Sequence, residues 1–328
     1  MYMDLNRKIK SFFRHLKGLG IVVFSFVVSC NTSPHPKPAD LEEISLDYIS
    51  FENLFFGDLD TPLADIRSQF PFFFPSQTPD SVWLEKRSDS LQQILFNATK
   101  SLQKNNLKSR ITQVLQYANY YFPEHKLPQT AISLLTDVDY SLRAVDADNI
   151  LLLSIDTYLG ADHPLYEGIP THIKNKLTID HLESEIIDAL APRFVPKPNG
   201  RTFLDQLVFH GKRLLLHDYF APSIEDHQHI QYTISQWKWA VDHEADIWRY
   251  FIDNELLFST DNNLHFRFLI SSPYSKFYSY LDEGSPGRIG QWLGYQMIKK
   301  FEKRTGKTLQ EILTTSSQEI LKKSKYNP

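Results

Sequence analysis

"NILLLSIDTYLG", residues 149–160, decides the fold class of this chain. Four consecutive apolar residues, Ile150 to Leu153, are followed by Ile155 and Tyr158, and the run stops at Gly160. A short continuous apolar run that ends at a glycine is typical of a strand buried on both faces. The sequence therefore predicts a buried strand here, with "TAISLL", residues 130–135, as a neighbouring strand.

Most of the chain around these strands shows the apolar spacing of amphipathic helices instead. A further strand is predicted at residues 44–52, where β-branched and aromatic residues alternate with polar ones. The predicted helices of the C-terminal half are 178–192, 202–217, 235–257 and 285–306, the last with Ser285 as its N-cap. Few strands among many helices predict an α+β fold that is predominantly helical with a small sheet.

The first 29 residues predict a lipoprotein signal peptide. Five basic residues come first, and "LGIVVFSFVVS", residues 19–29, is an uncharged apolar run that stops at Cys30. A membrane span needs about 20 apolar residues, and this run has about half that number. Residues 27–29 resemble a lipobox, which implies that Cys30 carries fatty acyl chains such as palmitate.

The remainder of the chain is predicted to be a lipidated tether, residues 30–40, and a single globular envelope domain, residues 41–328. Without residues 1–29 the chain holds 30 basic and 38 acidic residues, so we exclude nucleic acid as a partner. Cys30 is the only cysteine, so neither a disulfide bond nor cysteine metal ligands are available to the fold.

The loop "LGADHPLY", residues 159–166, is the most suggestive candidate for a cleft. It follows the predicted buried strand, and residues at the ends of buried strands commonly line clefts. The candidate cleft residues, proposed for a partner or ligand and not for catalysis, are Asp156, Asp162, His163, Tyr166 and His210. An ordinary turn before Pro164 is the competing interpretation.

Four segments together resemble the gliding-motility lipoprotein family of Bacteroidetes, the GldB type. They are "LLLSIDTYLGADHPLY" at 151–166, "APRFVP" at 191–196, "AVDHEADIWRYFIDNELLFSTD" at 240–261 and "SPGRIGQWLGYQMI" at 285–298. The resemblance implies a cell-envelope lipoprotein needed for gliding, which works with the machinery that also secretes proteins in these bacteria. It implies no reaction.

A weaker resemblance, to a predicted zinc-protease superfamily, implies a distantly zincin-like scaffold. Where that superfamily has a Glu-Gly pair on a helix, this chain has His210 and Gly211. The preceding helix offers no histidine pair after Glu183, and His243 is followed four residues later by Ile247 instead of a second histidine. We therefore predict a pseudoenzyme without catalytic residues, metal or cofactor. A metal ion collected at the surface by His227 and His229 is the competing interpretation for that pair, but alternate residues in a loop usually face water, and we expect this of both.

The sequence thus predicts a non-catalytic protein of the cell membrane, anchored through lipid on Cys30 and bound to envelope proteins of the gliding and secretion apparatus. Residues 31–33 lack the acidic cluster that resembles a surface-export tag, which favours a periplasm-facing anchor. The alternative is an envelope metallopeptidase with a non-standard ligand set such as His210, His217 and an acid from another helix.

Overall fold

The computed structural model describes residues 35–328, and Lys37–Pro328 forms a compact unit. The predicted signal peptide and Cys30 lie outside the described residues. The fold is α+β, 57% helical, with a small mixed sheet, which confirms the predicted class. Within residues 35–328, no helix combines the length and apolar character needed to cross a membrane.

The sheet has four strands in the order β1-β2-β4-β3. The strands are β1 Asp47–Ser50, β2 Thr130–Leu134, β3 Ala144–Ala147 and β4 Ile150–Ser154. β1 and β4 both run parallel to β2, whereas β3 runs antiparallel to β4. The strands predicted in residues 130–135 and 149–160 are confirmed. The carboxyl ends of β1, β2 and β4 therefore meet at the same edge of the sheet.

One set of helices precedes β2 in the chain. They are α1 Phe51–Phe56, α2 Leu63–Gln69, α3 Asp80–Ser88, α4 Ser90–Thr99 and α5 Leu107–Tyr121. The helices after the sheet are α6 Thr171–Lys174, α7 Leu182–Leu190, α8 Phe203–Phe220, α9 Asp226–His229, α10 Ile234–Asp242, α11 Glu244–Asp253, α12 Asn263–Phe268, α13 Ile289–Thr305, α14 Leu309–Thr314 and α15 Ser317–Ser324.

Helices α8 and α13 pack closely against each other at glycines. A Cβ atom built on Gly294 would lie 1.9 Å from the carbonyl oxygen of Leu207, and one built on Gly211 would lie 2.5 Å from the carbonyl oxygen of Gly294. These distances are far below van der Waals contact, so the two backbones meet where a side chain is missing on either side. Gly211 and Gly294 are therefore packing residues.

Three predicted element boundaries are wrong, and side chains explain two of them. The helix predicted at 235–257 breaks at His243, whose Nδ1 lies 2.8 Å from the carbonyl oxygen of Trp239 and whose ring stacks on that indole. Ser285 does not cap α13, because its hydroxyl pairs with the backbone of Ser275. The strand predicted at 44–52 ends at Ser50, and α1 begins directly after it.

Candidate functional site

Asp156, the first of the predicted cleft residues, is fully buried in the turn that follows β4. Its carboxylate accepts hydrogen bonds from the backbone N–H groups of Thr136 (3.0 Å) and Val138 (2.8 Å). These bonds fix the loop that follows β2 against the end of β4. Burial nevertheless dominates and raises the pKa of Asp156.

Tyr166 is buried beside Asp156, and its hydroxyl donates to the carbonyl oxygen of Asp156 at 2.7 Å. His163 uses its Nδ1 to accept the N–H of Leu165, so it caps the short turn Pro164–Tyr166. Asp162 is exposed. The loop thus brings together Asp156, His163 and Tyr166, in contacts that hold the turn.

His210 lies apart from the loop, on α8. Within residues 35–328, no hydrogen bond or ring contact joins it to the other four predicted cleft residues. Burial lowers the pKa of His210 to about 4, so the imidazole is neutral at physiological pH. None of the five residues lines any of four cavities formed by residues 35–328.

The largest of these cavities, about 790 Å³, lies where the parallel strands end. Its walls include Tyr48 and Ser50 of β1, Glu52 of α1 and a row of neutral polar side chains on α5. Cavities at the carboxyl ends of parallel strands are common ligand sites. We call this the sheet-edge cavity. Its lining also includes the charged Lys108 and the apolar side chains of Leu102, Leu107 and Ile155.

Glu52 is the ionisable group at the centre of this wall, and it is only 5% exposed. Its carboxylate accepts hydrogen bonds from Ser50 and from Ser133, the latter at 2.9 Å, and Tyr48 donates to the same Ser133 hydroxyl. Burial outweighs these bonds and raises the pKa of Glu52. Glu52 is not among the predicted site residues, although an acid at the end of the predicted strand 44–52 was an available signal.

Glu52→Gln should make the free energy of unfolding less sensitive to rising pH. Because folding raises the pKa of Glu52 above its ordinary value of 4.5, the folded state holds a proton that the unfolded state releases. The free energy of unfolding of the unmodified protein therefore falls as pH rises between those two pKa values. Chemical denaturation at several pH values from 4 upward should show a smaller fall for Glu52→Gln.

The matched control is Glu43→Gln, because Glu43 is an exposed acid before β1. We expect its free energy of unfolding to follow that of the unmodified protein at every pH. An equal pH dependence in Glu52→Gln and the unmodified protein would show that folding leaves the pKa of Glu52 unchanged.

A second cluster of ionisable side chains lies between α7, α8, α9 and α13. His217 is fully buried, and its Nε2 lies 3.6 Å from Oδ1 of Asp188 on α7. Burial lowers the pKa of His217. Within residues 35–328, Asp218, Asp226 and His229 form the one group of three or more potential ligands whose atoms lie close enough for a metal ion. It does not include His210 or His217.

His229 does not face water, contrary to the prediction, because it is only 4% exposed. Its Nδ1 lies 3.0 Å from Oδ1 of Asp218 near the end of α8. Helix α9 is short, and the chain before it turns back onto α8, which places His229 inside while its neighbour His227 stays half-buried.

Exposed aromatic side chains are the main surface feature of the segment between α11 and α13. We define the aromatic surface as four residues with their exposed fractions: Phe258 (63%), Phe266 (62%), Tyr278 (76%) and Tyr280 (71%). Aromatic side chains are enriched in protein interfaces relative to the rest of the protein surface.

Comparison with known proteins identifies the family. The family model described as gliding motility protein GldB matches residues 32–328. No curated protein and no solved structure gives a significant match to the chain. The match extends over the whole of the described fold, including the sheet-edge cavity, the α8–α13 pair and the aromatic surface. The chain therefore belongs to the GldB family of gliding motility proteins.

Proposed function

We propose that this protein is a lipid-anchored component of the cell envelope that supports gliding by binding a protein of the motility and secretion apparatus, without catalysing a reaction. Family membership implies the role in gliding motility. The aromatic surface is the observation that favours a binding role, because aromatic side chains are enriched in protein interfaces relative to the rest of the protein surface.

Buried aromatic contacts and hydrogen bonds hold the segment that carries the aromatic surface. Phe268 and Phe277 are buried and their rings lie 5.0 Å apart, while the Asp282 carboxylate accepts the backbone N–H groups of Phe277 and Tyr278. The guanidinium of Arg267 lies 4.9 Å from the ring centre of Tyr278. A partner that binds here meets aromatic side chains on an ordered loop, which lowers the entropy cost of association.

Tyr278 also has a strained backbone, with φ at 57°. Non-glycine residues in this left-handed region are uncommon, and strained residues concentrate at functional sites. The strain supports a binding role because the fold maintains this conformation while the tyrosine ring remains in solvent.

The residues that occupy the zinc-ligand positions of a protease support a non-catalytic role. His210 stands where the weakly similar superfamily has glutamate, and neither His210 nor His217 belongs to the group of potential metal ligands in residues 35–328. We accordingly propose a peptidase-like scaffold that lacks the usual zinc ligands, anchored through Cys30 and facing the periplasm.

Replacing the two most exposed tyrosines should abolish partner binding and gliding while the fold is retained. We choose Tyr278→Asn with Tyr280→Ser, because asparagine tolerates the left-handed backbone at position 278. Each of the two rings contacts the partner in our proposal, and loss of aromatic anchors typically costs about 2 kcal/mol or more of binding free energy each. Colony spreading and crosslinking in living cells, followed by mass spectrometry, would measure the loss.

The control is Tyr120→Ser, which removes a tyrosine on α5 that is 53% exposed. We expect this variant to spread and to crosslink to the same partner as the unmodified protein. Normal spreading and crosslinking of the double variant would overturn the proposal, as would an equal loss in the Tyr120 control. Circular dichroism of all three proteins would establish that they fold alike.

A further inference from the structure

Three potential metal ligands converge at the end of α8. One ligand atom from each of Asp218, Asp226 and His229 lies within 4.8 Å of the others. Asp218 and His229 are 8% and 4% exposed, whereas Asp226 is exposed. The group is therefore buried on one side and open to solvent on the other, so that an ion could enter it beside Asp226.

The buried histidines beside this group lack hydrogen bonds of normal geometry. Within residues 35–328, neither ring nitrogen of His229 or of His217 has such a partner, and the two ring centres are 5.7 Å apart. More than 90% of buried polar groups in proteins are hydrogen-bonded, and the exceptions often have a functional reason. An imidazole nitrogen that lies 3.0 Å from a carboxylate oxygen without a good hydrogen bond is well placed to share a cation with it.

The charges around the group favour a bound cation. The carboxylates of Asp218, Asp226 and the half-buried Glu302 face the ammonium of Lys299, whose Nζ lies 2.5 Å from Oδ2 of Asp218 and 3.6 Å from Oε2 of Glu302. Three carboxylates around one ammonium group give the group an excess of acidic side chains.

The side chain of Tyr295 on α13 orients the carboxylate. Its hydroxyl donates to Oδ1 of Asp218 at 2.7 Å, and Oδ1 is also the oxygen closest to His229. Hydrogen bonds from neighbouring residues to a ligating carboxylate are a regular feature of metal sites, where they fix the ligand in position. Asp218 can therefore offer Oδ1 to an ion while Oδ2 stays paired with Lys299.

We propose that Asp218, Asp226 and His229 bind one divalent transition-metal ion, with Zn²⁺ as the closest chemical match. One imidazole nitrogen and two carboxylate oxygens form a ligand set that suits Zn²⁺ better than Ca²⁺, because Zn²⁺ binds both kinds of ligand in a four-coordinate site whereas Ca²⁺ takes six to eight oxygen ligands. Three protein ligands leave a fourth position for water. The site is independent of the partner-binding function, and it would fix α9 to the α8–α13 pair.

Zinc binding to the full-length protein in detergent tests the proposal. After treatment with a chelator and its removal, isothermal titration with Zn²⁺ and elemental analysis of the desalted protein should give one ion per chain. Asp226→Asn and His229→Ala should each weaken binding by about 100-fold or more, since even residues that only support a ligand alter metal affinity by about 10- to 100-fold. Asp226 is exposed, so Asp226→Asn should fold normally.

His227→Ala is the matched control, because His227 lies between the two ligands on α9 but outside the group. It should bind Zn²⁺ as tightly as the unmodified protein and with the same stoichiometry. The proposal is overturned if the unmodified protein binds no Zn²⁺, if Asp226→Asn and His229→Ala both bind as well as the control, or if Ca²⁺ binds as tightly as Zn²⁺.

Discussion

Gly294→Ala is expected to destabilise the domain by at least about 3 kcal/mol. The added methyl group would lie 1.9 Å from the carbonyl oxygen of Leu207 and 2.6 Å from its carbonyl carbon. Overpacking in a core commonly costs about 1–3 kcal/mol when side chains can adjust. Here the obstacle is the backbone of α8, which cannot move aside without separating the two helices. We therefore expect a loss of stability of at least about 3 kcal/mol, the upper end of that range.

The helix propensities of glycine and alanine make Gly294→Ala a stringent test of the contact between the two helices. Alanine is favoured over glycine within a helix by about 1 kcal/mol, so the substitution would stabilise α13 if the helix stood alone. A measured loss of stability therefore reports the contact between helices. Lys303→Ala, an exposed change on the same helix, should alter the free energy of unfolding by less than about 0.5 kcal/mol.

A double-mutant cycle with Gly211→Ala strengthens the test. Each methyl group alone would force α8 and α13 apart, and the separation that admits one makes room for the other. The combined loss should therefore be clearly smaller than the sum of the two single losses. Urea denaturation would measure all three variants. A Gly294→Ala protein within about 1 kcal/mol of the unmodified one would contradict the close backbone approach.

Cys30→Ala is expected to abolish fatty-acid labelling of the protein completely. Cys30 is the only cysteine, and it is the one residue that the lipobox resemblance makes an acyl acceptor. Buried acyl chains contribute about 0.8 kcal/mol per methylene, so two or three of them bind a bilayer far more tightly than the acidic domain could alone. Metabolic labelling with an alkyne fatty acid and the mass of the N-terminal peptide would measure the change.

Localisation needs a second variant, because a precursor that is not cleaved can stay in the membrane through its signal peptide. Replacing residues 1–30 with a cleavable signal that carries no lipid should release the domain into the soluble periplasmic fraction. Asn31→Ala should retain both label and membrane association. Labelled protein after Cys30→Ala, or a domain that sediments with membranes without any lipid, would refute the anchor.

Hydrophobic periodicity was sufficient to predict the elements that bury one continuous face. Helix α8 begins after Thr202, whose hydroxyl accepts the N–H of Asp205 as a cap. Strand β4 contains the apolar run that ends at Leu153. Strand β3 was missed because "AVDA" has no apolar alternation. It forms because the chain reverses at Asp148, which has φ at 56°, and returns alongside β4.

The candidate sites depended more on tertiary packing than on local sequence. Asp156 and Tyr166 could be selected as a pair because they flank one predicted strand end, and their contact is present. Asp218 and His229 could not be selected as a pair from the sequence, because their spacing matches no standard ligand motif. Only the return of α9 onto α8 brings them together. The lipid site on Cys30 stays a prediction from sequence.

The position of β1 has a mechanical consequence for a protein that is tied to a bilayer and used for movement. β1 is an edge strand, paired through four residues with β2 alone, and it is the first strand after the proposed tether. Tension on the anchor would first load the segment before β1, where Leu41 and Leu46 are buried and Gln116 of α5 donates to the carbonyl oxygen of Glu42, and it would then reach β1. A pull along the strand would load the whole ladder at once in shear, whereas a sideways pull would peel the residue pairs apart one at a time at lower force. The direction of traction would therefore determine how much force the fold withstands.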